Sequence, residues 1–276
     1  MHQFHIHLRV SSVVVCLLLL LAVPAQALEL SDSARTELET LFGRDACFSL
    51  YDETENTWTR INPERCAQRI TPCSTFKIPH ALVALTTGVV PREGLALDWD
   101  PQRDPAGEGW PEVWKERHCL TSAIKHSVVW YFQELARRIG PEREQTWLDA
   151  MGYGNRDISG GLEVFWLSSS LKISADEQVE FLRRFFRNEL PFDVAHMEQV
   201  RGMILREHGT DRLFWGKTGM GDAPDGVGVG LFTGCVEKNG RRYFFALNCE
   251  VPDGTQTFVR RAKLLELSLA ALGLDE

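Results

Sequence analysis

The chain has 276 residues, 30 lysines and arginines against 38 aspartates and glutamates, a formal net charge of −8, and 44% hydrophobic residues. That length can bury one large core or two interleaved subdomains, and the composition is that of an ordinary globular protein. An acidic balance with no basic run speaks against a nucleic-acid partner.

At the N-terminus Arg9 precedes the apolar run Val13–Val23, which is followed by Ala25-Gln26-Ala27. A basic start, an apolar centre and an A-x-A end form a secretory signal pattern. The apolar run is about a dozen residues, short of the roughly 20 that a membrane-spanning helix needs. We therefore expect cleavage near Ala27, a mature chain of residues 28–276 that is periplasmic or secreted, and no stable membrane span. Cys16 lacks the small preceding residue of a lipoprotein site, and His2, His5 and His7 would leave with the leader. Export permits disulfides among Cys47, Cys66, Cys73, Cys119, Cys235 and Cys249. No C-x-x-C pair suggests zinc or redox chemistry. Cys47 and Cys66, at the ends of a predicted hairpin, are the favoured bridge, and the other pairings stay open.

A first helix is expected over Ser31–Phe42, with Ser31 and Asp32 as capping candidates and Gly43 as its stop. Extended segments Cys47–Tyr51 and Thr57–Ile61 flank a polar turn at Glu53–Asn56. Ser74–Thr87 reads as helix ended by Gly88, and Val128–Ile139 as a second, closed by Gly140-Pro141. A third helix starts at Ser174, where Ser-Ala-Asp-Glu matches a capping box, and runs through Phe186. After Asp211, Leu213–Lys217, Val227–Val236 and Tyr243–Val251 read as strands, the last two joined by a turn at Asn239-Gly240. Phe258–Leu272 closes the chain as an amphipathic helix. This order, without regular strand–helix alternation, predicts an α+β fold: an antiparallel sheet flanked by terminal helices, with a helical subdomain inserted between early and late strands.

Ser74 and Lys77 stand three apart in PCSTFKIP, a spacing that puts both side chains on one helix face. A serine needs a base to become a nucleophile, and a lysine serves only if burial drives it toward neutrality. Alone, S-x-x-K is common, and a capping serine beside a surface lysine is the simpler reading. Ser127-Val128-Val129, Tyr153-Gly154-Asn155 and Lys217-Thr218-Gly219 are each weak signals as well. Lys217 does not belong to a phosphate-binding loop, because Asp211 stands where that motif needs glycine. His80, His118, His126, His196 and His208 have no metal-ligand spacing and read as structural or exposed.

Together and in this order, S-x-x-K, S-x-V, Y-G-N and K-T-G resemble the class D serine β-lactamases, the oxacillinase group of the penicillin-recognising enzymes. The resemblance spans the mature chain and extends to Trp166-Leu167 and to Arg260 in FVRRAK, although Arg261 adjoins it. The Val229–Gly234 strand departs from the pattern, since many relatives carry tryptophans there. The resemblance implies hydrolysis of β-lactam antibiotics, with resistance as the outcome, and no metal or organic cofactor. It implies that Ser74 is the nucleophile and that Lys77, carbamylated by CO2 or bicarbonate, is the general base. Ser127 and Lys217 would then relay the proton to the leaving nitrogen. Thr218, Gly219, Met220 and Arg260 would bind substrate, and Phe76, Val129, Trp166 and Leu167 would form the lysine's pocket. Class A enzymes instead carry S-D-N and a glutamate that acts through water, and neither is found here. The alternatives are a non-hydrolysing penicillin-binding sensor domain and a cell-wall transpeptidase. A monomer or a homodimer is expected.

Overall fold

The computed structural model describes residues 28–91, 94–222, 226–251 and 256–275. The leader assigned to residues 1–27 lies outside the described residues.

Helix α1 (Asp32–Phe42) starts where the Ser31 hydroxyl accepts the Ala34 N–H and ends at Gly43. Strands β1 (Ala46–Asp52) and β2 (Thr57–Ile61) and the short helix α2 (Pro63–Ala67) follow. A 3-10 turn, Cys73–Phe76, runs directly into α3 (Lys77–Thr86). The inserted helices are α4 (Leu120–His126), α5 (Val129–Ile139), α6 (Pro141–Met151), α7 (Ala175–Phe186) and α8 (Val194–Ile204). The chain then returns to strands β3 (Leu205–His208), β4 (Arg212–Asp222), β5 (Gly228–Lys238) and β6 (Arg241–Val251), and ends in α9 (Thr257–Ala271). All strand pairs are antiparallel, in the order β2-β1-β6-β5-β4-β3. This is the architecture expected from the element order, with the first strand lying against the last.

Alternation along β6 shows why that strand reads as a continuous apolar run. Phe245 and Leu247 face a core shared with Phe42, Leu265 and Leu269 under the terminal helices. Phe244 and Ala246 face the opposite core with Phe76, Phe132, Trp166 and Phe185. Both faces of the central strand are therefore buried, and each fully buried phenylalanine contributes about 1.5–3 kcal/mol relative to exposure. Asn239 and Gly240 both take positive φ, 52° and 75°, as a two-residue hairpin turn requires. The predicted capping box is present at α7: Ser174 Oγ accepts the Glu177 N–H, and Glu177 Oε2 accepts the Ser174 N–H. Asp176 ties the same helix to the sheet by accepting from Ser49 on β1 and Arg60 on β2.

The bridge expected between Cys47 and Cys66 is not formed; both are free, buried thiols. Cys66 Sγ lies 3.4 Å from the carbonyls of Phe48 and Ile61, packing as a small group with a weak donor. Its contact with Cys47, together with burial, pushes its thiol far above the usual range. Among the described residues, no helix is long and apolar enough to cross a membrane.

Candidate active site

Ser74 sits in the 3-10 turn rather than inside a regular helix, preceded by Cys73 at φ 47°. That left-handed backbone is uncommon for a residue with a Cβ. The turn lies close against β4 because Gly219 and Gly221 face it. A Cβ at Gly219 would come within 3.1 Å of the Pro72 carbonyl, and one at Gly221 within 2.7 Å of Cys73 Sγ. Lys77, the first residue of α3, is fully buried and donates from Nζ to Ser74 Oγ at 2.9 Å. Burial without a carboxylate partner lowers its ammonium to about 7, opposed by the neighbouring Cys73.

A second serine–lysine pair faces the first. Ser127 caps the C-terminus of α4 in the left-handed region, at φ 61°, and so marks the break between α4 and α5. Lys217 Nζ donates to Ser127 Oγ and to the Thr218 carbonyl, both at 2.9 Å. Burial, then the like charges of Lys77, Arg206 and Arg261, hold the Lys217 ammonium well below its ordinary range. Lys217-Thr218-Gly219 lies within β4 and not at its end, since the strand continues to Asp222. Thr218, Gly219 and Met220 pair with Phe232, Leu231 and Gly230 of β5, and the Met220 side chain is among the most exposed apolar groups of the described residues.

Phe76 is central to the lysine's surroundings. Its ring meets those of Trp166, Phe165, Tyr153 and His80 at centroid distances of 5.8, 5.2, 5.6 and 5.2 Å. Lys77 Nζ lies 5.1 Å from the Phe132 ring centroid. Leu167 is half-buried against this core. Val128 is fully buried, whereas Val129 is partly exposed at the start of α5. Trp166 Nε1 is buried with no hydrogen-bond partner, an uncommon state for an indole N–H. Tyr153-Gly154-Asn155 shapes the adjoining loop: Asn155 accepts the Lys172 N–H and donates to the Ser170 carbonyl.

Of the two adjoining arginines, Arg261 and not Arg260 reaches β4. Arg260 turns away from β4 and donates to the carbonyls of Glu250 and Phe42 on the α1 side. Arg261 is the buried one; its Nη1 donates to the Gly219 carbonyl at 2.8 Å. The phase of α9 carries the signal, since Arg261, Leu264, Leu265 and Ser268 form its buried stripe. Sequence reasoning also passed over Arg206, whose Nε donates to the Gly216 carbonyl beside Lys217.

A hydroxyl against a destabilised lysine, with a second hydroxyl–lysine pair opposite, is the equipment of a serine acyl-transfer enzyme. The comparisons give that class a family. The penicillin binding protein transpeptidase domain matches residues 48–266. The chain is 40% identical over 206 residues to the "Probable beta-lactamase YbxI" of Bacillus subtilis (strain 168), covering 75% of this chain and 74% of that protein. The class D β-lactamase YbXI structure from Nostoc superposes with a TM-score of 0.80 at 32% identity, over 89% of this chain and 100% of that one. The regulatory protein BlaR1 of Bacillus licheniformis is 33% identical over 209 residues, 76% of this chain but only 34% of that protein. The chain belongs to the class D β-lactamases of the penicillin-binding transpeptidase family.

Proposed function

We propose that the protein hydrolyses β-lactams through an acyl-enzyme on Ser74, with Lys77 acting as base in its carbamate form. The observation that carries this reading is the Lys77–Ser74 contact in a buried pocket where, among the described residues, the lysine has no carboxylate partner. A neutral Nζ can attack the carbon of CO2 and release one N–H proton, and the resulting carbamate supplies an anionic oxygen that accepts protons. The residues present suit that group, because the unpartnered Trp166 indole N–H is a donor without an acceptor.

Lys77 takes the Ser74 proton as Oγ attacks the lactam carbonyl, and the N–H groups of Ser74 and Met220 hold the oxyanion. Each such donor is worth roughly 10²–10³-fold in rate. As the C–N bond breaks, Ser127 passes its proton to the leaving nitrogen and is reprotonated, with the help of Lys217, by the proton that Lys77 took from Ser74, which frees Lys77 to act again as base. Lys77 then takes a proton from water, the hydroxide attacks the ester, and Ser74 leaves with its proton restored. Thr218 and Arg261 bind the substrate carboxylate, whose charge would also favour the Lys217 ammonium. The activity would confer β-lactam resistance on a cell that exports the chain through residues 1–27.

The match to BlaR1 favours a second reading, a sensor that is acylated and stays so. Incubation with a chromogenic cephalosporin, with and without bicarbonate, separates the two. Multiple turnovers stimulated by bicarbonate are expected, whereas one adduct per chain without turnover would support the sensor. Turnover indifferent to bicarbonate and surviving Lys77→Ala would sink the carbamate and leave hydrolysis standing. Ser74→Ala should abolish both turnover and the adduct seen by mass spectrometry.

A further inference from the structure

Behind the lysine's aromatic wall lies a titratable pair that the reaction above does not use. His80, on α3 one turn beyond Lys77, and Glu144, on α6, are both completely buried. His80 Nε2 is 2.6 Å from Glu144 Oε1, a contact not aligned as a hydrogen bond, and neither ring nitrogen nor either carboxyl oxygen has a hydrogen-bond partner. The His80 ring packs on Phe76 from the 3-10 turn, on Phe132 from α5 and edge-on against Trp166, at 5.2, 5.6 and 5.2 Å. One of these rings also meets Lys77, whose Nζ faces Phe132, and Trp166 stacks on Phe76, the residue next to it in the chain.

A buried ionisable pair is poor value for stability, because apolar residues of similar volume do as well or better. Its arithmetic of charge is more informative. If imidazole and carboxyl share one proton between Nε2 and Oε1, the pair carries no net charge. An unpaired carboxylate at the same place would attract a cation on Lys77, because charges in a dry interior are weakly screened.

We propose that His80 and Glu144 form a net-neutral positioning pair that seats the Trp166 indole against the Lys77 pocket and keeps that pocket free of net charge. The inference rests on the reading of Lys77 as the base. Among the described residues, Glu144 is the titratable group in contact with the His80 ring. Tyr153 reaches the same cluster from the far side of Phe76. Cys73 and Lys217 are the charged or titratable groups that act on Lys77 from the 3-10 turn and β4. His196 is held by Thr86 at the other end of α3.

The test is the pH dependence of kcat/KM on a chromogenic cephalosporin at saturating bicarbonate, for wild type, His80→Asn, Glu144→Gln and the double variant. His80→Asn leaves a lone carboxylate, which favours the Lys77 ammonium and should move the acid limb up by about 1 pH unit. Glu144→Gln leaves a neutral wall and should not raise the limb. The double variant should return it to the wild-type position. A purely structural pair would lower the melting temperature in these variants without this rise and reversal, and that result would overturn the inference. If His80→Asn does not fold, the wild type still decides. The His80 ring nitrogens, followed by NMR, should show an inflection at the pH of the acid limb that disappears in Lys77→Met, and its absence would count against the pair. A carbamate resonance from ¹³C-bicarbonate tests the other reading separately. Its absence removes the carbamate but leaves the limb comparison valid, because that comparison reports the Lys77 ammonium.

Discussion

Lys77 has rings and a hydroxyl for neighbours, and its ammonium is held down to about 7, against about 10.4 for an unperturbed lysine. The form able to accept a proton therefore gains population as pH rises through 7, and kcat/KM should show an acid limb there in a pH–rate profile. Stability follows the same sign. Between the folded and unfolded values the unfolded chain binds more protons, so the unfolding free energy should rise with pH from about 7 to about 10. The Lys77 share is at most about 1.4 kcal/mol per pH unit, and Lys217 acts in the same direction. Urea titrations at pH 7.5 and 9 should show the rise, and Lys77→Met should reduce it. At the substrate end, Arg261→Ala should raise KM about tenfold or more, the worth of a charge-assisted hydrogen bond, whereas Arg260→Ala should leave KM unchanged. Steady-state kinetics of the two variants would reverse the assignment if Arg260 proved the sensitive one.

Elements show what the sequence made legible. The serines and lysines proposed as catalytic are paired by short spacings or by compact motifs, so PCSTFKIP, SVV and GKTG can be picked out without knowing the fold. Long amphipathic elements such as α5, α7 and α9 announce themselves by period. The helix α4, seven residues long, has too few turns to show one. Pro141 reads locally as a stop, yet it occupies the first turn of α6, where its missing N–H costs nothing. The exposed strand β3 has no buried face to create alternation. The His80–Glu144 contact depends on how α3 and α6 pack, which no local pattern encodes. Gly154 illustrates the opposite case, a local signal with a steric basis. Its φ is +54°, and a Cβ there would lie 2.1 Å from the Lys172 carbonyl. Gly154→Ala should therefore destabilise the protein by about 1–3 kcal/mol, visible as a lowered melting temperature, and should loosen the loop that Asn155 ties down.

At the scale of the molecule, the sheet order places β1 against β6, and the helical insertion closes over one face while α1 and α9 close over the other. Ser74, Ser127, Lys217 and Arg261 come from four separate parts of the chain, and the 3-10 turn with its serine rests on strand β4. Pairings between early and late strands close large loops, which makes folding slow relative to helix formation. Catalytic competence should therefore come late in folding, because helices α3 to α8 can form before β4 docks behind the turn that carries Ser74. On dilution from denaturant, regain of turnover should lag the far-ultraviolet helical signal and coincide with burial of the tryptophans. An unfinished or clipped chain would be silent rather than partly active.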